Sequence, residues 1–379
     1  NRNLDLHGRA IMLRGTDPGR PEVVAGTILD AQSLGCVFNL NAGTTSPSII
    51  EGLTITGGAA VRGGGISCTN TGNLIIRHCF ITRNTASLYG GGGYFEYPCH
   101  ATISDCTITQ NTAGTNGGGL YSNGIIIVGN STITDNVAPR GGGGLTGPSM
   151  VRDCLIRGNT ALNGHGGGIQ NAGQIVHCTI QGNRAFNGGG YYSGGDNHLL
   201  NCTIIDNTAT MNGGGLYIGS SSSAGCDPRA TNCVITGNRA VLGGAVCVQA
   251  NPRFVMANCT LLDNTASTAG GGVMNTENGR MSILNSILWN NHCLNGPELA
   301  LSDYADATVA FSDIQGGMAG VDRPSAYAVL NWGAGNIDAE PRFADGTVGY
   351  SLLPGSPCID AADNAALPAD AIDIDGDAN

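Results

Sequence analysis

Lysine is missing: all 17 basic residues are arginine. That excludes mechanisms built on an amine, including Schiff bases and Ser–Lys dyads. Charge is scarce at 12% of residues, the net charge is −11, and aromatic residues are only 5%. No basic stripe is present to hold nucleic acid. No apolar run approaches the roughly 20 residues of a membrane span. Cys-x-x-Cys is absent, so zinc and dithiol redox motifs have no support.

Glycine, by contrast, accounts for 62 of 379 residues. Most of it belongs to one repeated unit, Cys-x-Ile-x-x-Asn-x-Ala, followed by Gly-Gly-Gly and an apolar residue. The anchor of the unit falls at Asn84, Asn111, Asn136, Asn159, Asn183, Asn207, Asn238, Asn264 and Asn291, with Gly58 and Gly317 in the same place at the ends. The spacing is 23–31 residues. A unit that short cannot bury a core alone and must stack on copies of itself.

Three columns give the fold class. Ile81, Ile108 and Ile133 lie three residues before their anchors, and Ile76, Ile103 and Val128 lie eight before. Five before stand Cys79, Cys106, Cys154, Cys178, Cys202, Cys233 and Cys259, with Leu53, Ser131, Ser286 and Ser312 in the other coils. Cys and Ile two apart share one face of a strand. Because the same column recurs in every unit, the strands lie parallel and in register. The expectation is an all-β parallel β-helix of about eleven or more coils, with N-terminal coils over 1–48, regular repeats over 49–320 and an irregular or capping tail over 321–379. The anchor Asn is expected inward at a corner, in a ladder with the Asn of the coils above and below, itself tolerating left-handed geometry. The glycine triplets are expected to give the next corner its φ > 0 residues. No Lys or helix follows them, so they are not phosphate loops.

In-register cysteines point in parallel, which suits a disulfide poorly. The cysteine column therefore reads as buried thiols acting as small hydrophobes. Outside it, Cys226 and Cys247 are the bridge candidates. The sequons at Asn130, Asn201 and Asn258 overlap the repeat strand and read as coincidence.

The units "GLTITGG" (Gly52–Gly58) and "CTITQNTAGTNGGGLY" (Cys106–Tyr121) resemble right-handed parallel β-helix proteins of bacterial cell surfaces. "SDIQGG" (Ser312–Gly317), "NIDAEPRF" (Asn336–Phe343) and "YSLLPGSPCIDA" (Tyr350–Ala361) are similar to the ends of large secreted β-helix proteins with a C-terminal surface-anchor region. The resemblance implies export to the cell surface or the extracellular space of a bacterium, not a reaction. Absence of a signal sequence is consistent with a mature exported chain.

Polysaccharide lyases and hydrolases also use this fold, with acidic clusters on an outward face; glycoside hydrolysis needs two carboxylates at a set separation. Asp135, Asp206 and Asp263 share the position before the anchor, but in non-adjacent coils. His165 and His177 stand isolated in sequence. Phe95, Tyr121, Tyr192 and Tyr217 are expected to face outward, able to stack on sugar rings or on each other. Outward Thr pairs such as Thr107/Thr109 are too interrupted for an ice-binding array. Asp373, Asp375 and Asp377 alternate as a calcium loop would, without the distal Glu of an EF-hand.

Two functions therefore stand side by side. One is an extracellular scaffold, more in keeping with the absence of a catalytic constellation. The other is a carbohydrate-active enzyme or carbohydrate-binding adhesin. Strand-like sequence from the first residues (Leu4, Leu6, Ile11, Leu13) leads to the expectation of a bare N-terminal edge. A second copy could pair with that edge and extend a filament end to end.

Overall fold

One coil shows how the sequence makes the fold. His100–Ser104 is a strand. Asp105 (φ 54°) turns the chain, Cys106 follows, and Thr107–Thr109 is the next strand. Gln110 (φ 57°) makes a second corner before Asn111 and the short strand Thr112–Ala113. Gly117 (φ 68°) makes the third corner, and Leu120–Ser122 closes the coil. Each corner is a single left-handed residue, a conformation open to Gly, Asn and Asp at low cost.

The left-handed residue is thus the one before the anchor, not the anchor itself. Arg83, Gln110, Asp135, Asp206, Asp263 and Asn290 hold it at φ 54–57°, with glycine in other coils. This corrects the expectation for the anchor Asn. The corner before the cysteine explains the sequons: Asn130, Asn201 and Asn258 occupy it at φ 45–53°.

Stacking these coils gives four parallel sheets of 13, 12, 11 and 9 strands. The 13-stranded sheet, here the long sheet, runs from Met12–Arg14 to Val329–Trp332. The 12-stranded sheet carries the isoleucines three before the anchors; the 11-stranded sheet follows the glycine triplets; the 9-stranded sheet follows the anchors. Side chains of the first three meet in one continuous core, with Ile76, Ile103, Ile108 and Leu120 fully buried. At about 4.8 Å per strand, 13 strands span roughly 60 Å. The structure, a computed structural model, describes residues 1–41, 47–69, 72–219, 226–344 and 350–366.

Coil geometry extends to both sides of the regular repeats. Leu4 bridges Phe38, and Met12–Arg14 pairs with Ser48–Glu51. A one-turn-and-a-half helix, Pro21–Gly26, buries Val24. Beyond 320, Val329–Trp332 pairs with Asp306–Ala310 and Ile337 bridges Asp313. The following segment folds aside onto the solenoid, where Asp363 and Asn285 exchange two hydrogen bonds of 3.0 and 3.1 Å.

The glycines of a triplet meet two different demands. At Gly117 the backbone is left-handed. At Gly118 and Gly119 a Cβ would lie 2.3 and 2.6 Å from the carbonyls of Gly143 and Gly144 in the next coil, and at Gly119 it would also approach the side chain of Asn136 at 3.3 Å. Ala245 shows that one methyl is accommodated in one coil.

Candidate functional site

The anchors form a buried ladder. Asn84 to Asn264 are at most 1% exposed, and Asn291 is 4% exposed. Each anchor makes the same three donations. Asn136 gives its backbone N–H and one Nδ2 hydrogen to Asn159 Oδ1, both at 3.0 Å, and its second Nδ2 hydrogen to the Ile108 carbonyl at 2.9 Å. The pattern repeats from Asn84 to Asn264.

The ladder ends with a substitution of chemistry. After Asn291 the next anchor is Gly317, which has no side chain. Glu298 takes the place of a third triplet glycine, with its neighbour Leu299 in register with Val273. Its carboxylate turns into the vacated space and accepts from Asn291 N–H at 3.1 Å and from Asn291 Nδ2. Burial pushes the Glu298 carboxyl up to about 7, against the opposing pull of the Asn291 bonds.

Cys79, Cys106, Cys154, Cys178, Cys202, Cys233 and Cys259 are buried free thiols. They do more than fill space. Cys106 Sγ donates to the Ser104 carbonyl at 3.1 Å, and Cys154 Sγ to the Arg152 carbonyl at 3.1 Å. Ser131 makes the same bond to Gly129 at 2.7 Å and accepts from Cys106 N–H at 3.1 Å. The column is a second ladder of small donor–acceptor side chains, which is why Ser and Cys interchange in it. Burial holds the Cys106 and Cys202 thiols well above the usual range. The disulfide in the structure joins Cys68 to Cys99. Cys247 is a buried free thiol, so the Cys226–Cys247 bridge does not form.

Among the aromatic candidates, Phe95 does not face outward. An extra glycine, Gly93, takes the inward place in register with Ile66 and Leu120. Tyr94 therefore pairs with Tyr121, and Phe95 turns inward, fully buried. Its ring fills the space left open at Gly93, where a Cβ would lie 2.8 Å from it. Tyr94, Tyr121 and Tyr89 stack with centroids 4.8–6.4 Å apart, and the Arg62 guanidinium lies 5.4 Å over the Tyr94 ring. His165, Tyr192 and Tyr217 form a second stack, with neighbouring rings 4.6 and 5.3 Å apart. The ring faces are thus largely taken up by one another. Tyr217 is 9% exposed and Tyr94 3%.

The acids before the anchors stay apart. Glycines 158, 182 and 237 occupy the same corner in the coils between Asp135, Asp206 and Asp263. Asp263 Oδ1 accepts from Asn290 in the next coil. His177 is not isolated: its Nδ1 lies 3.5 Å from Asp153 and its Nε2 3.0 Å from Asn201 Nδ2, all three at successive corners. Burial lowers the pKa of His165. Among the described residues no three His, Cys, Asp or Glu side chains converge as metal ligands. Asp373, Asp375 and Asp377 lie outside the described residues. No helix is long and apolar enough to cross a membrane among the described residues.

Charged residues do gather in one place that sequence reasoning passed over. On the outer face of the long sheet, Asp227, Arg229, Arg253, Arg280 and Asp306 line a shallow cleft of about 370 Å³. The signal was available, since Arg253 and Arg280 both lie eleven residues before an anchor.

Residues 26–185 match a family model described as the right handed beta helix region. No curated protein and no solved structure matches the chain. With the match and the parallel sheets, the fold is a right-handed parallel β-helix of about eleven turns.

Proposed function

We propose that this protein is an extracellular structural scaffold whose working property is a stiff rod. The observation that carries this reading is the unbroken ladder of buried Asn side chains. Each coil is tied to the next by backbone bonds of the parallel sheets and by an Asn side chain, with Cys and Ser side chains adding bonds in several coils. Such coils cannot shear or open singly without leaving buried polar groups unpaired. The Cys68–Cys99 disulfide supports an oxidising, exported setting. Among the described residues, Met12–Arg14 and Ile28–Asp30 each pair with one neighbouring strand, and the Asp30 carbonyl accepts from the Asn1 amino group at 3.0 Å. A strand paired on one side is a template for a further parallel strand, and end-to-end stacking of copies is part of the proposal.

The test combines turnover with imaging. The purified chain is incubated with neutral and acidic polysaccharides, and new chain ends are measured. Electron microscopy and sedimentation then follow particle length from low to tens of micromolar protein. The scaffold reading expects no turnover above the blank and rods that lengthen with concentration. Depolymerisation of any polysaccharide would overturn the scaffold. Single short rods at every concentration would overturn the stacking.

A further inference from the structure

On the long sheet, arginines are elsewhere neutralised within the sheet. Glu51 sits in register between Arg14 and Arg77 and meets their Nε atoms at 3.1 and 3.0 Å. The cleft at the other end of the same sheet differs. Arg280 has Asp306 in register on one side, without an ion pair between them, and Arg253 in register on the other, so two guanidinium-bearing positions lie side by side on adjacent strands. Like charges so placed repel. Arg229 stands on the coil before, in register with Val255, two residues from Arg253. None of the three forms an ion pair among the described residues.

Two buried polar atoms at the cleft have no hydrogen-bond partner among the described residues: Arg229 Nε and Asp227 Oδ1. Two other carboxylates nearby are engaged elsewhere. Asp306 Oδ1 accepts from Asn331 Nδ2 at 3.3 Å, and Asp196 accepts from the backbone N–H of Asp227. His198, in register with Arg229, has its pKa lowered, first by burial and then by that guanidinium, so it adds no charge of its own near neutral pH. The backbone that presents the arginines is fixed: Arg229, Arg253 and Arg280 donate their N–H groups to Asn197, Cys226 and Pro252 at 3.0–3.2 Å.

We propose that this cleft is a binding site for an oxyanion-bearing ligand, held by Arg229, Arg253 and Arg280. A guanidinium presents paired donors that match a carboxylate, sulfate or phosphate group. One oxyanion between adjacent arginines removes their repulsion and gives Arg229 Nε an acceptor. The cleft volume suits a single small unit such as one sugar ring, with Asp227 and Asp306 placed to accept from hydroxyls beside the anion. The site is independent of the scaffold reading: a stiff rod holds it in place, but neither requires the other.

The experiment titrates the folded chain separately with inorganic sulfate, inorganic phosphate and glucuronate, following arginine side-chain resonances and melting temperature at constant ionic strength. Arg253→Gln and Arg280→Gln are the test variants, and Arg239→Gln, on the 9-stranded sheet, is the control. The expected result is saturable binding of at least one probe, weakened tenfold or more by either test variant and unchanged by the control. The probe bound most tightly assigns a planar or a tetrahedral anion. Unsaturable shifts, or equal shifts in all variants, would each overturn the site.

Discussion

Asn159→Leu is the most informative single change, because it removes one rung from the middle of the Asn ladder. Asn159 Oδ1 accepts two hydrogen bonds from Asn136, and Asn159 Nδ2 donates to the Ile133 carbonyl at 2.9 Å and to Asn183 Oδ1 at 3.0 Å. Asn183 Oδ1 keeps the backbone N–H of Asn159. The substitution therefore strands two buried groups, the Asn136 N–H and one Asn136 amide hydrogen, while the Ile133 carbonyl keeps its place in the ladder between the strands of Ile133 and Ile156. At about 1–3 kcal/mol for each unpaired group, and with the leucine regaining some apolar burial, the loss is roughly 2–5 kcal/mol. That is a large share of an ordinary domain's stability. The control is Thr179→Ser, a partly exposed position on the 12-stranded sheet, expected within about 0.5 kcal/mol of the parent. Urea unfolding followed by circular dichroism reads both. Equal midpoints for the two variants would refute the claim that the ladder's hydrogen bonds matter to stability.

Three further outcomes follow from the same geometry. Glu298 has its folded pKa raised from 4.5 to about 7, so the folded state binds its proton more tightly than the unfolded one. Its contribution is then fully present below about pH 4.5 and is lost as pH rises through 7, a total of about 3 kcal/mol; Glu298→Gln should flatten that slope between pH 5 and 8 in urea unfolding, and an unchanged slope would contradict it. Gly118→Ala drives a methyl to 2.3 Å from a backbone carbonyl and is expected to prevent folding, whereas Gly182→Ala, with φ 62° and nothing within 4 Å, should cost only the left-handed strain of about 1–2 kcal/mol; equal losses of soluble, helically stacked protein would count against the packing argument. Cys106→Ser should keep the donor–acceptor pattern that Ser131 already shows, so its melting temperature is expected above that of Cys106→Ala, with the reverse order opposing a hydrogen-bonding role.

The parts legible in the sequence are those fixed by one column at a time. Asn at each anchor and Ile three before it are enough to give parallel, in-register coils. The parts that were not legible depend on what stands beside a column in the next coil. Strands of two to five residues between single left-handed corners leave too little length for a period of two to show four sheets. Gly93 shifts Phe95 inward because one added glycine changes which residue opposes Leu120. The cysteine column looked apolar by composition, yet its thiols donate to carbonyls two residues back, a role hinted at only by the serines that replace them. Glu298 gains its place from the side chain that Gly317 lacks. The arginine cleft depends on coil-to-coil register, which equal offsets from the anchors encode but composition does not.

A continuous Asn ladder should make the coils one rigid unit. Hydrogen exchange at the anchor amides measures it directly. The backbone N–H groups of Asn111, Asn136, Asn159 and Asn183 each donate to the next anchor's Oδ1 at 2.9–3.0 Å. They should exchange at one common, slow rate set by global unfolding, and Asn159→Leu should accelerate Asn136 most. Anchor amides that exchange quickly in the parent protein, or at unrelated rates from coil to coil, would contradict the account.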